Sequence, residues 1–344
     1  MERLIPSPRT YFTRSTVLLL LISSLLILVG CSIGTVSIPF SKSLQILLGQ
    51  SVDSVETSII LESRLPRTLG AFLAGGALGM AGLLMQTLFR NPLAGPSILG
   101  ISSGASLGVA ILVLSGSFFG WQLQSNLGLV PLVSAAIVGA LGILFLMLLF
   151  ASRLRDQTTL LIAGVMVGHF TGALESILQF NSSDSSIRTF VLWGMGSFAN
   201  MQWSHWLIIG LTLLSSAMLI FPKLIQLNIL LLGAEYAQTM GVSVKRVRLL
   251  LIFLSGIPAA MVTAFCGPIA FIGLIVPHLA RLVLKTSDHR IIFIPIIFIG
   301  GIVGVLSDIL SRLGEVPLNA ITSALGAPIV VYLLMRKNRQ IATV

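Results

Sequence analysis

The sequence predicts an all-α protein that crosses a membrane about ten times. Three observations lead there. Hydrophobic residues make up 55% of the chain and charged residues only 9%, with a mean hydropathy of +1.01, where a soluble chain carries about 25% charged residues. Apolar runs close to the roughly 20 residues that a helix needs to span a bilayer recur along the whole length. The basic residues are also shared unevenly between the segments joining those runs, as membrane topology requires.

Residues 1–16 are polar and basic, with Arg3, Arg9 and Arg14, and lead into an apolar run from Val17 to Val29. The basic start, the apolar core and Leu28-Val29-Gly30-Cys31 mimic a lipoprotein signal peptide. A chain with many further spans gains nothing from a lipid anchor, so the run is read as a first transmembrane helix. Residues 37–63 are mixed in character and predict an external loop with a short surface helix.

The stretch from Arg64 to Gly108 organises the chain. It opens with Arg64-Leu65-Pro66-Arg67, runs apolar from Leu69 to Leu88 as a second span, and breaks at Arg90-Asn91-Pro92. It resumes as a third span from Ser97 to Leu114. Glycine costs roughly 1 kcal/mol against alanine in a soluble helix, whereas in lipid small residues let helix backbones approach closely. Gly75-Ala77-Gly79-Gly82 and Gly100-Gly104-Gly108 therefore read as helix-contact surfaces rather than as a phosphate cradle.

Residues 115–128 form a loop, and Leu129 to Phe150 and Leu160 to Gln179 are the fourth and fifth spans, joined by a turn with Arg153, Arg155 and Asp156. Residues 181–200 read as a loop with a short helix. Trp203 and Trp206 suit a membrane interface before a sixth span ending near Pro222. Residues 223–248 are polar enough around Gly233 to Met240 to lie outside the bilayer, and Gly241 suits a helix C-terminus. The seventh to tenth spans are Leu249 to Phe265, Gly267 to Leu284 (interrupted by Gly273 and Pro277), Ile291 to Leu306 and Leu318 to Leu334, with a turn at Asp308 to Pro317.

Ten spans place both termini on one side. With the termini inside, only Lys42, Arg64, Arg67, Arg188 and Arg312 fall outside, and the other 16 of 21 basic residues are inside. The net charge of +10 is thus explained by topology, and nucleic acid is a poor partner. No GxxxxGK[ST] occurs, since neither Lys42-Ser43 nor Lys285-Thr286 follows a glycine. The chain carries no P-loop for ATP, so its energy must come from elsewhere. The two cysteines, Cys31 and Cys266, lie in or beside apolar runs and indicate no disulfide framework.

His169 and Glu175 lie inside a span, where ionisable groups face a cavity or a partner; their spacing of six keeps them off one helix face. His278, after a helix-breaking proline, reads as structural, and Asp308 as a partner for Arg312 or a helix cap. Glu175 is the only clear acid within a span. That counts against an ion-coupled secondary transporter, which predicts several acids at midplane and broken helices in matching halves.

RLPR, a Gly/Ala-rich span ending at Gln86, and Arg90-Asn91-Pro92-Leu93-Ala94 running on to Leu99-Gly100-Ile101-Ser102-Ser103-Gly104-Ala105-Ser106 together resemble the permease subunits of ATP-binding-cassette (ABC) importers for iron chelates and vitamin B12. Later segments resemble the same family: Leu232 to Val242, Gly267 to Leu282 with Asp288-His289-Arg290, Asp308-x-x-x-Arg312 and Glu315-x-Pro317. Two departures stand out, Ala234 for a commoner acidic residue and Leu318-Asn319-Ala320 for the usual VGV.

The resemblance implies one transmembrane permease domain over 1–344 with the importer permease fold, in a bacterial inner membrane with both termini cytoplasmic. The cargo would be a ferric siderophore, haem or, alternatively, cobalamin. It implies no cofactor in this chain, two partner ATPase subunits that bind the ATP, a second permease subunit (an identical copy or a close paralogue), and a soluble or lipid-anchored substrate-binding protein. It places coupling helices for the ATPase in 223–248, with Gly233, Glu235, Ala237 and Gly241 at their matching positions. It gives Arg64, Arg67 and Arg312 a docking role toward the binding protein. His169, Glu175, Asn91, Pro92, Ser102 and Ser103 are candidates for the translocation path.

A cysteine at position 238 should react with an impermeant thiol reagent only from the cytoplasmic side, and one at position 184 only from outside. Opposite labelling of either would reveal a miscounted span between them.

Overall fold

The computed structural model describes residues 8–34, 36–50, 54–115, 128–154 and 156–341. The expected loop at 115–128 and Arg155 lie essentially outside them. The described residues form helices and connecting segments with no strand. The helices are α1 (Pro8–Ser32), α2 (Phe40–Leu47), α3 (Ser54–Ser58), α4 (Leu65–Phe89), α5 (Ile101–Leu114), α6 (Leu129–Arg153), α7 (Gln157–Phe180), α8 (Asp184–Gly194) and α9 (Trp203–Ile220). They continue as α10 (Leu224–Leu231), α11 (Ala234–Thr239), α12 (Val244–Cys266), α13 (Ile272–Leu284), α14 (His289–Gly314) and α15 (Leu318–Ile341). Among the described residues seven helical stretches are long and apolar enough to cross a membrane. Shorter apolar helices fall at Ile101–Leu114, Ile272–Leu284 and Leu318–Val331, where the third, eighth and tenth spans are expected.

The molecule is built around α4. Every residue from Ala74 to Phe89 is buried, and α14, α12, α13, α9 and α1 all pack against this helix. The small residues in its sequence explain why. A Cβ on Gly75 would strike the carbonyl of Gly300 on α14, and one on Gly82 would strike the carbonyl of Gly273 on α13. The helix backbones therefore touch directly, which is how helices associate where lipid tails are as apolar as the side chains. Gly104 and Gly108 of α5 meet Gly139 and Ala135 of α6 in the same way. By contrast, only 17% of the apolar window of α7 is buried within the chain, against 83% for the stretch containing α4.

Three boundaries differ from the sequence reading. Residues 54–89 form one continuous helical stretch, because a π-helical turn at Ile59–Arg64 carries α3 straight into α4. Pro66 lies just after that π-helical turn and has no N–H to return to it; Trp203 Nε1 donates to Leu61 O (3.1 Å) in that place. The segment Asp308–Gly314 is the last part of α14, not a turn, because the charge of Asp308 is neutralised inside the bundle. The eighth span is helical only from Ile272, after residues 267–270 without regular structure, with Gly267 (φ 73°) and Phe271 (φ 64°) both at positive φ.

Overpacking a core costs about 1–3 kcal/mol, and backbone contact leaves less room than side-chain contact. Gly82→Leu should therefore sharply reduce the yield of monodisperse protein in detergent and its unfolding temperature. Gly142→Ala, at a glycine with open space beside it, should change neither.

Candidate transport sites

Three groups of residues bear on transport. They lie at one end of the bundle, at its other end, and between.

At one end, α1 stops at Ser32 with its last carbonyls unserved by a further turn. Two arginines supply the donors. Arg64 Nη1 donates to the carbonyls of Cys31 (3.1 Å) and Ser32 (2.8 Å), and its Nη2 to that of Val36. Arg312 Nη1 donates to Gly30 O (2.8 Å) and Ile33 O (2.9 Å). Positive charge at a helix C-terminus is also favoured by the helix dipole. Asp308, only 1% exposed, accepts Arg67 Nε on Oδ1 (2.8 Å) and Arg312 Nη2 on Oδ2 (2.6 Å). The expected pairing of Asp308 with Arg312 is present, and Arg67 joins it.

The structure brings Arg64, Arg67 and Arg312 together as expected, from segments far apart in the sequence. It does not leave them as free rim charges. Arg64 is buried and the Arg312 side chain is only 8% exposed; both donate within the chain, Arg312 Nε alone lacking a partner among the described residues, and Arg67 is the most exposed of the three. The sequence showed a positive cluster but not the carbonyls it serves, because those belong to the end of another helix.

At the opposite end, the 223–248 segment folds into α10 and α11, separated by Gly233 in a conformation (φ 126°) that favours glycine. α11 closes on Gly241 (φ 80°): Gly241 N–H donates to Gln238 O and Val242 N–H to Ala237 O, both at 2.9 Å. This pair of bonds is a Schellman helix end, and Ala237 and Val242 are buried against each other's turn as it requires. Leu232, Tyr236 and Met240 recur every fourth residue and are 63%, 52% and 54% exposed. Leu232 and Met240 flank α11 and Tyr236 lies on it, so the short, otherwise polar projection carries exposed apolar side chains, with Glu235 exposed beside them. A polar cavity of about 720 Å³ lies between α11, Arg90 and the start of α7 at Asp156. Hydrogen bonds from Thr159 hold the Asp156 carboxyl below the usual carboxylate range, consistent with its role as N-cap of α7.

Between these ends, a cavity of about 280 Å³ is lined by Gly95, Ser97, Ser102, residues 268–271 and Asn319. Of the six candidate path residues, only Ser102 reaches it; its Oγ lies 3.4 Å from Thr263 Oγ1. Asn91 instead turns the chain by accepting the Leu93 N–H (2.9 Å), and Pro92 O pairs with His278 Nε2 (2.8 Å), which gives His278 the expected structural role. Ser103 lies between α5 and α7, near Gly168. Glu175 faces α5 beside Ser106, with a buried Oε1 that has no partner among the described residues, while His169 is exposed on another side of α7.

Sequence reasoning did not single out Asn319. Its Oδ1 accepts the Ala270 N–H (3.0 Å), and its Nδ2 donates to Pro268 O (2.7 Å) and Gly194 O (3.1 Å). The signal was available as the polar residue that breaks the VGV pattern.

One buried helix, broken short helices around it and two small helices projecting from one end define the permease of an ABC importer with the vitamin B12 importer-like fold. The chain belongs to the FecCD transport family, whose model matches residues 19–336. It is 36% identical over 323 residues to the hemin transport system permease protein HmuU of Yersinia pestis, covering 92% of this chain and 95% of that one. It is 38% identical over 287 residues to the vitamin B12 import system permease protein BtuC of Klebsiella pneumoniae, covering 81% and 83%. A solved inward-facing metal-chelate type ABC transporter superposes with a TM-score of 0.80 at 29% identity, covering 94% of this chain and 99% of that one. Permeases of this family are not themselves enzymes; they work with ATPase subunits and a substrate-binding protein. The apolar helices and bacterial relatives fit a protein embedded in the inner membrane.

Removing one member of a buried ion pair costs about 3–5 kcal/mol, because the other charge is left uncompensated. Asp308→Ala should therefore lower the unfolding temperature in detergent more than Arg67→Ala, which removes the most exposed member of the cluster. Equal losses would show that Asp308 is not the centre of the cluster.

Proposed function

We propose that the chain is the membrane-spanning subunit of an ATP-driven importer that carries a ferric siderophore or haem from an external binding protein into the cytoplasm. One observation carries the ATP-driven part. Tyr236 on α11 and Leu232 and Met240 flanking it are exposed, and α11 is too short and polar to enter a bilayer. An exposed apolar patch on such a projection suits docking of a helix into a groove of a partner, and the absence of a P-loop in the sequence makes an ATPase the partner of choice. The end bearing α11 is then cytoplasmic, both termini are on that side, and the single permease domain spans 1–344. Two ATPase subunits would serve two permease copies.

A second copy is supported by α7. This helix is the most exposed of the apolar spans and carries His169 on its surface among Met166 and Phe170. An ionisable side chain facing lipid is costly, so this face suits a path shared with a second permease. Docking of the binding protein is supported at the arginine cluster, chiefly through Arg67, with the surplus positive charge setting orientation and association rate more than affinity.

The hemin relative favours an iron chelate, and the vitamin B12 relatives keep cobalamin as the alternative. Uptake of labelled haem, cobalamin and several ferric siderophores into vesicles containing the complete complex distinguishes them. Haem or siderophore uptake supports the proposal; cobalamin uptake alone overturns its substrate.

Replacing Glu235, or replacing Gly241 with a residue that resists φ 80°, should leave the complex able to assemble while substrate-stimulated ATPase activity and transport fall several-fold. Unchanged transport in both variants would remove α11 from energy coupling.

A further inference from the structure

Asp288-His289-Arg290 is an ionisable tripeptide with no role in the sites described above. It sits at the start of α14, where Asp288 is the N-cap and accepts the Arg290 backbone N–H (2.9 Å). The Arg290 side chain, and after it Asn228, hold the Asp288 carboxyl down at about 2 despite partial burial. Asn228 belongs to α10, one turn before the segment that leads into α11.

Asn228 uses both ends of its amide. Its Nδ2 donates to Asp288 Oδ1 (2.6 Å), while its Oδ1 accepts the backbone N–H of His289 (2.9 Å) and faces His289 Nδ1 at 2.7 Å. The amide orientation is thereby determined: a flipped Asn228 would set its NH₂ against the His289 N–H. His289 Nδ1 must then carry a hydrogen, and on the far side of the ring Nε2 lies 2.7 Å from Thr87 Oγ1. Thr87 is in the last turn of α4, and both it and His289 are 2% exposed. Three residues before α4 ends, its Gln86 also donates to Leu274 O of α13 (3.1 Å) and accepts from Arg281. The chain then leaves α4 through Arg90 and Pro92 to Gly95 and Ser97, which line the central cavity.

We infer that Asn228 is a positioning residue for energy coupling: with His289 it links the projecting α10–α11 unit to the inner end of α4, and so to the cavity. This rests on the coupling role proposed for α11 and adds the route by which its displacement arrives. The apolar face of α10, Leu224, Leu227 and Leu230, also packs on the bundle. Apolar contacts are non-directional and let a helix slide. The Asn228–His289–Thr87 chain is directional and buried, and breaking it strands polar groups. It therefore obliges α4 and α14 to follow α10.

The test uses the complete transporter with its ATPase and binding protein in proteoliposomes. Gln238→Cys on α11 and Ser97→Cys at the cavity are each followed by thiol-labelling rate with and without ATP and vanadate; native Cys31 and Cys266 are buried. In the parent, nucleotide should change both rates. Adding Asn228→Leu or, as a near-isosteric change in a different helix, Thr87→Val should preserve the response at 238. Either should cut the response at 97 and the substrate moved per ATP by roughly tenfold, the equivalent of one lost buried hydrogen-bond partner. If position 97 still responds in both variants, apolar packing carries the motion and the inference is overturned. If position 238 does not respond even in the parent, the coupling role of α11 fails, and the route fails with it.

Discussion

Direct backbone contact between helices is the constraint on which this structure depends. α4 meets α14 through Gly75 and Gly300, and α13 through Gly82 and Gly273, at distances that admit no Cβ. In a bilayer there is no hydrophobic gain from bringing two apolar helices together, so close packing and shared polar contacts must do it. The glycines that would weaken a soluble helix make this one the axis of the bundle.

Polar groups secure the two ends of that axis in different ways. At one end, the Asp308 carboxylate gathers Arg67 and Arg312, and Arg312 and Arg64 close the open carbonyls of α1. This arrangement is charged, and a buried charge deprived of its partner is expensive, so the end is fixed. At the other, Thr87, His289 and Asn228 join by hydrogen bonds between uncharged groups or through one N-cap carboxylate. Those bonds can be remade at lower cost. A bundle rigid at one end and adjustable at the other is suited to a transporter driven from the adjustable side. The sign of the Asp288 contribution follows from its depressed pKa: a carboxyl held at about 2, against ~3.9 unfolded, stabilises above pH ~4 and loses that contribution as pH falls toward 2.

The family relationship and the site geometry bear on different questions. Relatives concerned with hemin and with vitamin B12 are comparably similar to this chain, as expected if the axis, the outer arginines and the projecting helices are common machinery. Asn319 lines the central cavity and ties residues 268–270 to the start of α15 and to the end of α8.

Much of this was determined by the sequence alone. Low charge and repeated apolar runs required a helical membrane protein, the glycine spacings located the contact faces, and the RLPR and RNP motifs marked both ends of α4. Gly241 announced the end of α11 because only a left-handed residue closes a helix in that way. The tertiary structure decided what spacing cannot express. Arg64 and Arg312 looked like surface charges because their acceptors are main-chain carbonyls of α1, distant in sequence and invisible in its letters. Asp308 looked like the start of a turn because its neutralising partner, Arg67, lies 241 residues away. Of six residues expected along one path, only Ser102 reached the central cavity, and Asn319 arrived there from another helix. A sequence records which groups are apolar, small or charged along one dimension. Which buried polar group finds which partner depends on how the helices cross, and that is settled only when their backbones touch.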